Sequence, residues 1–240
     1  MAYGFVNSIQ TLGTLDGPGV RFVVFMQGCP LKCGYCHNPE TQELSGGKEY
    51  TADQIVASVL RYKEYFGKDG GITVSGGEPL LQAEFVAEIF EKCHQNGINT
   101  CLDTSGCIIN EAVEKLIDLT DYVMLDIKFT SDDDYRRYIG CPLSKPLEFL
   151  ELLQRKNKAV RIRQVVVPGL NDSDKNILKL SEIVKKYSCI KSVELLPFKK
   201  ICKSKYDALN REFLFEKYNS PTKAEIDILQ EKLKLMKKTI

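Results

Sequence analysis

Three cysteines, Cys29, Cys33 and Cys36, stand in the spacing C-x3-C-x2-C directly after an apolar run over 21–27 that reads as a β-strand. Fe–S clusters are normally held by four thiolates, so a cuboidal cluster clasped by three keeps one iron with a free outer position. An open metal position is where catalysis takes place. The loop over 28–39 also carries Gly28, Pro30, Gly34 and Pro39, which impose a tight, irregular path of the kind a cluster needs. A zinc knuckle is the competing reading, with His37 completing a Cys3His set, since thiolate and imidazole suit zinc equally well. The loop alone does not choose between them.

Other groups could work beside such a centre. Gly76 and Gly77, in Ser75-Gly76-Gly77-Glu78-Pro79, permit close backbone approach to a ligand; by composition the segment is a strand-ending turn. Asp103 and Asp126 fall at the ends of strand-like runs, where two carboxylates would repel unless a cation or strong donors lie between them; helix caps are the plainer alternative. Lys128 shares a strand face with Asp126, and Arg161 shares one with Arg163 in Val160-Arg161-Ile162-Arg163-Gln164-Val165. If that face is interior, an unpaired charge there would be costly, so partners are expected. Lys128 and Arg163 are fixed positive donors for anionic or carbonyl groups. Asp16 precedes Gly17-Pro18-Gly19 and by composition belongs to an ordinary turn, while His94 sits in an amphipathic run as a structural residue.

Strand-like runs at 21–27, 71–75, 99–103, 122–128, 159–167 and 192–196 alternate with helix-like stretches at 52–66, 83–96, 110–119, 147–156, 173–186 and 223–237. Such alternation predicts a parallel sheet. The cysteine loop, 76–79, 103–106, 126–128, 168–169 and 197–198 all fall at carboxyl ends of strands, the rim where βα loops of barrels converge on an active site. Six units rather than eight predict an open, partial (β/α)6 TIM-like barrel. The expected organisation is one α/β domain over 1–240, with 1–20 and 199–240 as appendages.

Thirty-three basic against thirty-two acidic residues leave a net charge of +1 with no basic block, which argues against nucleic acid or an anionic membrane as partner. No apolar run approaches the roughly 20 residues that span a bilayer, and the amino end lacks the design of a secretory signal. Nine cysteines cannot pair fully within one molecule. Reduced thiols, and hence a cytoplasmic protein, are expected. Beyond the loop the cysteines are dispersed, with none from 37 to 92, so one cluster is expected.

The cysteine loop together with the Gly-Gly-Glu-Pro strand end resembles the radical S-adenosylmethionine enzymes. The upstream run Gly13-Thr14-Leu15-Asp16-Gly17-Pro18-Gly19-Val20-Arg21 narrows the resemblance to their glycyl-radical-enzyme activating family, and it extends through Cys101 to Gly106, Val123 to Lys128, Val165 to Gly169 and Glu194 to Phe198. The resemblance implies a partial (β/α)6 barrel in which Cys29, Cys33 and Cys36 bind one 4Fe-4S cluster whose free iron takes S-adenosylmethionine. Reductive cleavage of that cofactor would give a 5′-deoxyadenosyl radical that abstracts a glycine Cα hydrogen in a partner enzyme. It further implies cofactor contacts by Tyr35, Cys36, His37, Gly76, Gly77, Glu78, Asp126, Ile127, Lys128 and Arg163. A monovalent cation, Na+ or K+, is implied at Asp103, Thr104, Met124 and Asp126, and substrate-protein contacts at Asp16 and Arg163. Lys199 stands where the family frequently has a histidine near the cofactor, which puts its own role in doubt. The implied partner is a glycyl radical enzyme, pyruvate formate-lyase first, with another such enzyme or anaerobic ribonucleotide reductase as alternatives. Flavodoxin or ferredoxin would donate the electron to a monomeric oxidoreductase. A reading of another class is a non-catalytic zinc or Fe–S module that binds or carries electrons.

Overall fold

The computed structural model describes residues 3–238. Eight strands form one open sheet: β1 (Tyr3–Gly13), β2 (Arg21–Met26), β3 (Lys48–Thr51), β4 (Gly71–Gly76), β5 (Asn99–Thr104), β6 (Tyr122–Asp126), β7 (Ala159–Val166) and β8 (Ile190–Pro197), in the order β3-β1-β2-β4-β5-β6-β7-β8. From β2 to β8 every neighbouring pair is parallel. These are the six strands that the alternation predicts, and the sheet does not close, as six units imply. β1 and β3 add an antiparallel margin. β1 lies within 1–20, the segment expected as an amino-terminal appendage; Asn7, Ser8 and Gln10 interrupt its apolar pattern.

The helices are α1 (Ala52–Leu60), α2 (Ala83–Gln95), α3 (Glu111–Asp118), α4 (Asp132–Tyr138), α5 (Ser144–Arg155), α6 (Asp174–Lys186), α7 (Lys203–Ala208) and α8 (Lys223–Lys238). Thr51 starts α1 with a reciprocal capping box to Gln54, satisfying two otherwise orphaned N–H groups. Helix α1 stops at Leu60 rather than continuing to 66, where a short 3-10 turn (Lys63–Tyr65) follows. At the open edge, Gln230 of α8 accepts from the Leu195 N–H at 3.1 Å and donates to the Val193 carbonyl at 3.2 Å, which blunts an edge that would otherwise invite pairing.

Each parallel strand turns one face to the helices and the other inward. Phe22, Val24, Ile72, Val74, Leu102, Val123, Leu125 and Ile162 belong to the helix-side core. The opposite face carries the polar groups, Arg21, Thr73, Ser75, Cys101, Asp103, Asp126, Arg161 and Arg163, interspersed with Val23, Phe25 and Met124, as the two-residue period requires. Arg21 is fully buried at the amino end of this face. It donates to Thr73 Oγ1 at 3.0 Å, to Asn99 Oδ1 at 2.9 Å and to the Pro18 and Asp69 carbonyls at 3.3 and 3.2 Å. Burial lowers its pKa, yet these oxygens satisfy the guanidinium without a paired carboxylate. Thr73 Oγ1 in turn donates to the Asp16 carbonyl at 2.6 Å, so the buried arginine anchors the turn that carries Asp16.

Candidate active site

A cavity of about 310 Å³ opens at the carboxyl ends of the strands and is lined by Cys29, Cys33, Cys36, Tyr35, His37, Gly76, Gly77, Glu78, Asp103, Thr104, Asp126, Lys128, Arg163 and Asp16. The residues that the sequence singles out therefore converge, with five exceptions, of which Arg161 finds its partner in Glu194 at 3.6 Å, away from the cavity lining. Met124, fully buried, lies on β6 two residues before Asp126, on the same strand face. Ile127 packs in the helix-side core, while its N–H donates to the Arg163 carbonyl at 3.0 Å. Lys199 is exposed, and its carbonyl lies 3.1 Å from His37 Nε2. His94 lies elsewhere, 3.0 Å from Asp121.

The cysteine loop is tied down on both sides. The Gly28 N–H donates to the Thr41 carbonyl at 2.9 Å, Lys32 N–H to Ile139 O at 3.0 Å and Gly34 N–H to Tyr138 O at 2.9 Å. Across from it, Gly77 N–H donates to Met26 O at 2.9 Å and Glu78 N–H to Gly28 O at 2.8 Å. A Cβ on Gly77 would lie 2.2 Å from the Gly28 carbonyl oxygen, and Gly76 holds φ at +106°. The two glycines thus allow the strand end to lie against the cysteine loop itself, a requirement as strict as approach to a ligand.

Glu78 is 1% exposed and accepts five hydrogen bonds: from Leu80 N–H at 3.1 Å, Thr104 Oγ1 at 2.5 Å, Ser105 N–H at 3.0 Å, the Ser105 hydroxyl and, at 4.0 Å, the Cys107 thiol. Burial pushes its pKa up against these donors. The carboxylate locks the rim after β4 to the rim after β5. Ser105 was not foreseen; a hydroxyl next to Thr104 at a strand end was the available signal.

Arg163 resolves the repulsion between the two aspartates. Its Nη2 binds Asp103 Oδ1 and its Nε lies 3.2 Å from Asp126 Oδ1, while Lys128 Nζ lies 2.8 Å from Asp126 Oδ2 and Ser75 donates to Asp103 Oδ2 at 2.8 Å. Neither aspartate caps a helix; Asn110 and Ser131 cap α3 and α4. Burial alone would raise the Asp126 pKa, but Lys128 and Arg163 outweigh it and hold the carboxyl below the usual range. Burial likewise opposes charge on Lys128 and Arg163, and the carboxylates reverse it, so both pKa values are raised. Asp16 is different: burial and then the Asp103 charge push its pKa up, against a smaller pull from Arg163.

Burial raises the thiol pKa values, that of Cys33 to about 12. Among the described residues no three His, Cys, Asp or Glu side chains converge closely enough to hold a single metal ion. A cluster asks for less convergence, because each thiolate binds a different iron. His37, the fourth donor that a zinc knuckle needs, instead has Nε2 against a backbone carbonyl. The Tyr35 hydroxyl is buried beside the cavity without a hydrogen-bond partner, an orphan that a bound polar molecule could satisfy.

Residues 23–181 match the family model of the Radical SAM superfamily. The pyruvate formate-lyase 1-activating enzyme of Escherichia coli K12 is 39% identical over 227 residues, 93% of this chain and 92% of that protein. The pyruvate formate-lyase-activating enzyme of Clostridium pasteurianum is 41% identical over 235 residues, 98% of each chain. Among solved structures, a radical SAM methyltransferase from Sphaerobacter thermophilus shares the fold with a TM-score of 0.63 at 18% identity, covering 90% of this chain and 64% of that one. A domain of a pyruvate-formate lyase-activating enzyme from Bacteroides vulgatus does so with a TM-score of 0.58 at 23% identity, over 70% of this chain and 94% of that one. The chain belongs to the radical SAM superfamily and, within it, to the family of the pyruvate formate-lyase-activating enzymes.

Proposed function

We propose that the chain is an activase that installs a glycyl radical on pyruvate formate-lyase. The observation that carries this reading is the convergence of Cys29, Cys33, Cys36, Gly76, Gly77, Asp126, Lys128 and Arg163 on one rim cavity, in a chain 41% identical along nearly its whole length to such an enzyme. A 4Fe-4S cluster on the three thiolates supplies the electron that cleaves S-adenosylmethionine and so provides a carbon radical for hydrogen abstraction.

The protein's part is placement. Lys128 and Arg163 present positive donors to a carboxylate at the cavity, and their bonds to Asp103 and Asp126 preorganise them at no cost during reaction. Gly76 and Gly77 offer backbone polar groups, with Glu78 holding that segment still rather than meeting the ligand itself. Tyr35 lends a free hydroxyl and an aromatic wall that excludes water. A monovalent cation beside Asp103, Thr104, Met124 and Asp126 would add to the charge that Arg163 already provides. Asp16, on the cavity lining, is the proposed contact for an entering glycine loop.

An acidic flavodoxin or ferredoxin is the proposed electron donor to a monomeric protein. Anaerobic incubation with reductant, S-adenosylmethionine and pyruvate formate-lyase should give a glycyl-radical EPR signal. A signal only on another glycyl radical enzyme or on anaerobic ribonucleotide reductase would reassign the partner. No signal on any of them would sink the activase reading.

A further inference from the structure

On the side of the cysteine loop away from the cavity, an aromatic array leads to the surface. The Phe215 ring lies 5.4 Å from Tyr35, 5.4 Å from Tyr138 and 5.0 Å from Tyr218, centre to centre. Phe215 is 1% exposed, whereas Tyr138 and Tyr218 are partly open to solvent. Arg137 and Lys217 stand over those two rings, at 5.2 and 5.4 Å. A groove of about 520 Å³ runs between them and is completed by Lys32, from the cysteine loop itself. Lys32, Arg137 and Lys217 have no carboxylate partner among the described residues. Of the two acids on the groove, Glu216 is paired with Lys203 at 3.1 Å, which leaves Glu212 against three uncompensated cations.

A short bonded path leads inward from this groove. The Tyr138 carbonyl accepts from the Gly34 N–H at 2.9 Å, and Gly34 is covalently next to Cys33. One hydrogen bond thus separates a residue on the groove from the proposed cluster loop. The chain as a whole is nearly neutral at +1, so attraction of an anionic partner to this face would be local rather than a property of the whole surface.

We propose that the Lys32/Arg137/Lys217 groove is the docking surface for an acidic protein that carries single electrons, delivering them along the Tyr138–Gly34 hydrogen bond to Cys33. The proposal rests on the reading that the cysteine loop holds a 4Fe-4S cluster. One electron leaves the carrier, whose flavin hydroquinone becomes semiquinone with loss of a proton to solvent, and reduces the cluster; no other bond changes. Aromatic rings packed against the loop keep water from the path, and three cations meet the acidic face of the carrier.

The test uses the anaerobically reconstituted chain, flavodoxin hydroquinone as protein donor and photoreduced deazaflavin as small donor, with R137E/K217E as the variant. Binding of oxidised flavodoxin is measured by calorimetry, and cluster reduction by stopped-flow absorbance. Affinity and rate with flavodoxin should each fall at least about tenfold in the variant, the rate should fall with salt in wild type, and the deazaflavin rate should stay within about twofold. Unchanged flavodoxin binding and rate would overturn the proposal. So would a variant that loses affinity for pyruvate formate-lyase but not for flavodoxin. If both donors slow together, Lys217→Glu alone decides, because its side chain lies outside the cysteine loop: a wild-type flavodoxin rate there overturns the proposal, a slowed one supports it. Failure of deazaflavin-reduced wild type to cleave S-adenosylmethionine would count against the radical chemistry and leave the groove's binding result standing by itself.

Discussion

Arg163→Gln should destabilise the protein in a pH-dependent way whose sign follows from the site. The guanidinium bridges Asp103 and Asp126, whose side chains are 10% and 23% exposed. Removing one partner of a buried ion pair costs about 3–5 kcal/mol, because the remaining charge is left uncompensated. Asp126 keeps Lys128, and Asp103 keeps, among the described residues, the Ser75 hydroxyl, so the lower end of that range, about 3 kcal/mol, is the expectation at pH 7.5. For a chain of this length that corresponds to a Tm lower by about 6–12 °C. In wild type the Asp126 pKa is depressed, so its stabilisation is present above the unfolded value and is lost only as pH falls through the lower folded value. In the variant, Asp126 loses the lowering pull of the guanidinium and its pKa rises from the depressed wild-type value, so the penalty is complete at neutral pH and fades as pH falls toward about 4. Thermal melts of apo wild type and variant, under reductant from pH 7.5 to 4.5, measure the difference. A Tm loss under about 2 °C at pH 7.5, or a gap that widens on acidification, would refute the reasoning.

Two further substitutions probe the frame. Gly77→Ala should cost about 1–3 kcal/mol and cut S-adenosylmethionine cleavage severely, because its Cβ would meet the Gly28 carbonyl, which is backbone and cannot swing aside; wild-type cleavage measured by chromatography of 5′-deoxyadenosine would contradict this. Phe215→Ala, emptying a site that touches Tyr35, Tyr138, Phe198 and Tyr218, should cost about 3–5 kcal/mol in chemical denaturation and speed proteolysis within 209–221. A loss under 1 kcal/mol would mean that this segment does not brace the cysteine loop.

The six parallel strands were legible because each is a short apolar or, in β7 and β8, alternating run bounded by turn residues, and observed ends differ from expected ones by two residues at most. The rim positions followed directly, since a strand's carboxyl end fixes where its loop residue lies. β1 was not legible: its partners and register come from β2 and β3, not from its own pattern. Helix α4, seven residues long and rich in aspartate, was also missed, and with it Tyr135, whose hydroxyl lies 3.3 Å from the Asp126 carbonyl. Arg21 alternates with Val23 and Phe25 as Arg163 does along β7, and its burial was as legible from that pattern. Pairing of Arg163 with both aspartates depends on strand order, which local sequence does not carry.

Anaerobic reconstitution with iron and sulfide, reduction, and assay for 5′-deoxyadenosine after addition of S-adenosylmethionine test the central claim most directly, with wild type set beside Cys33→Ala. Cofactor cleavage by wild type that disappears in the variant, together with loss of the cluster's EPR signal, is the predicted result. Wild-type protein that binds tetrahedral zinc and cleaves nothing would contradict the radical reading and leave a binding module in its place.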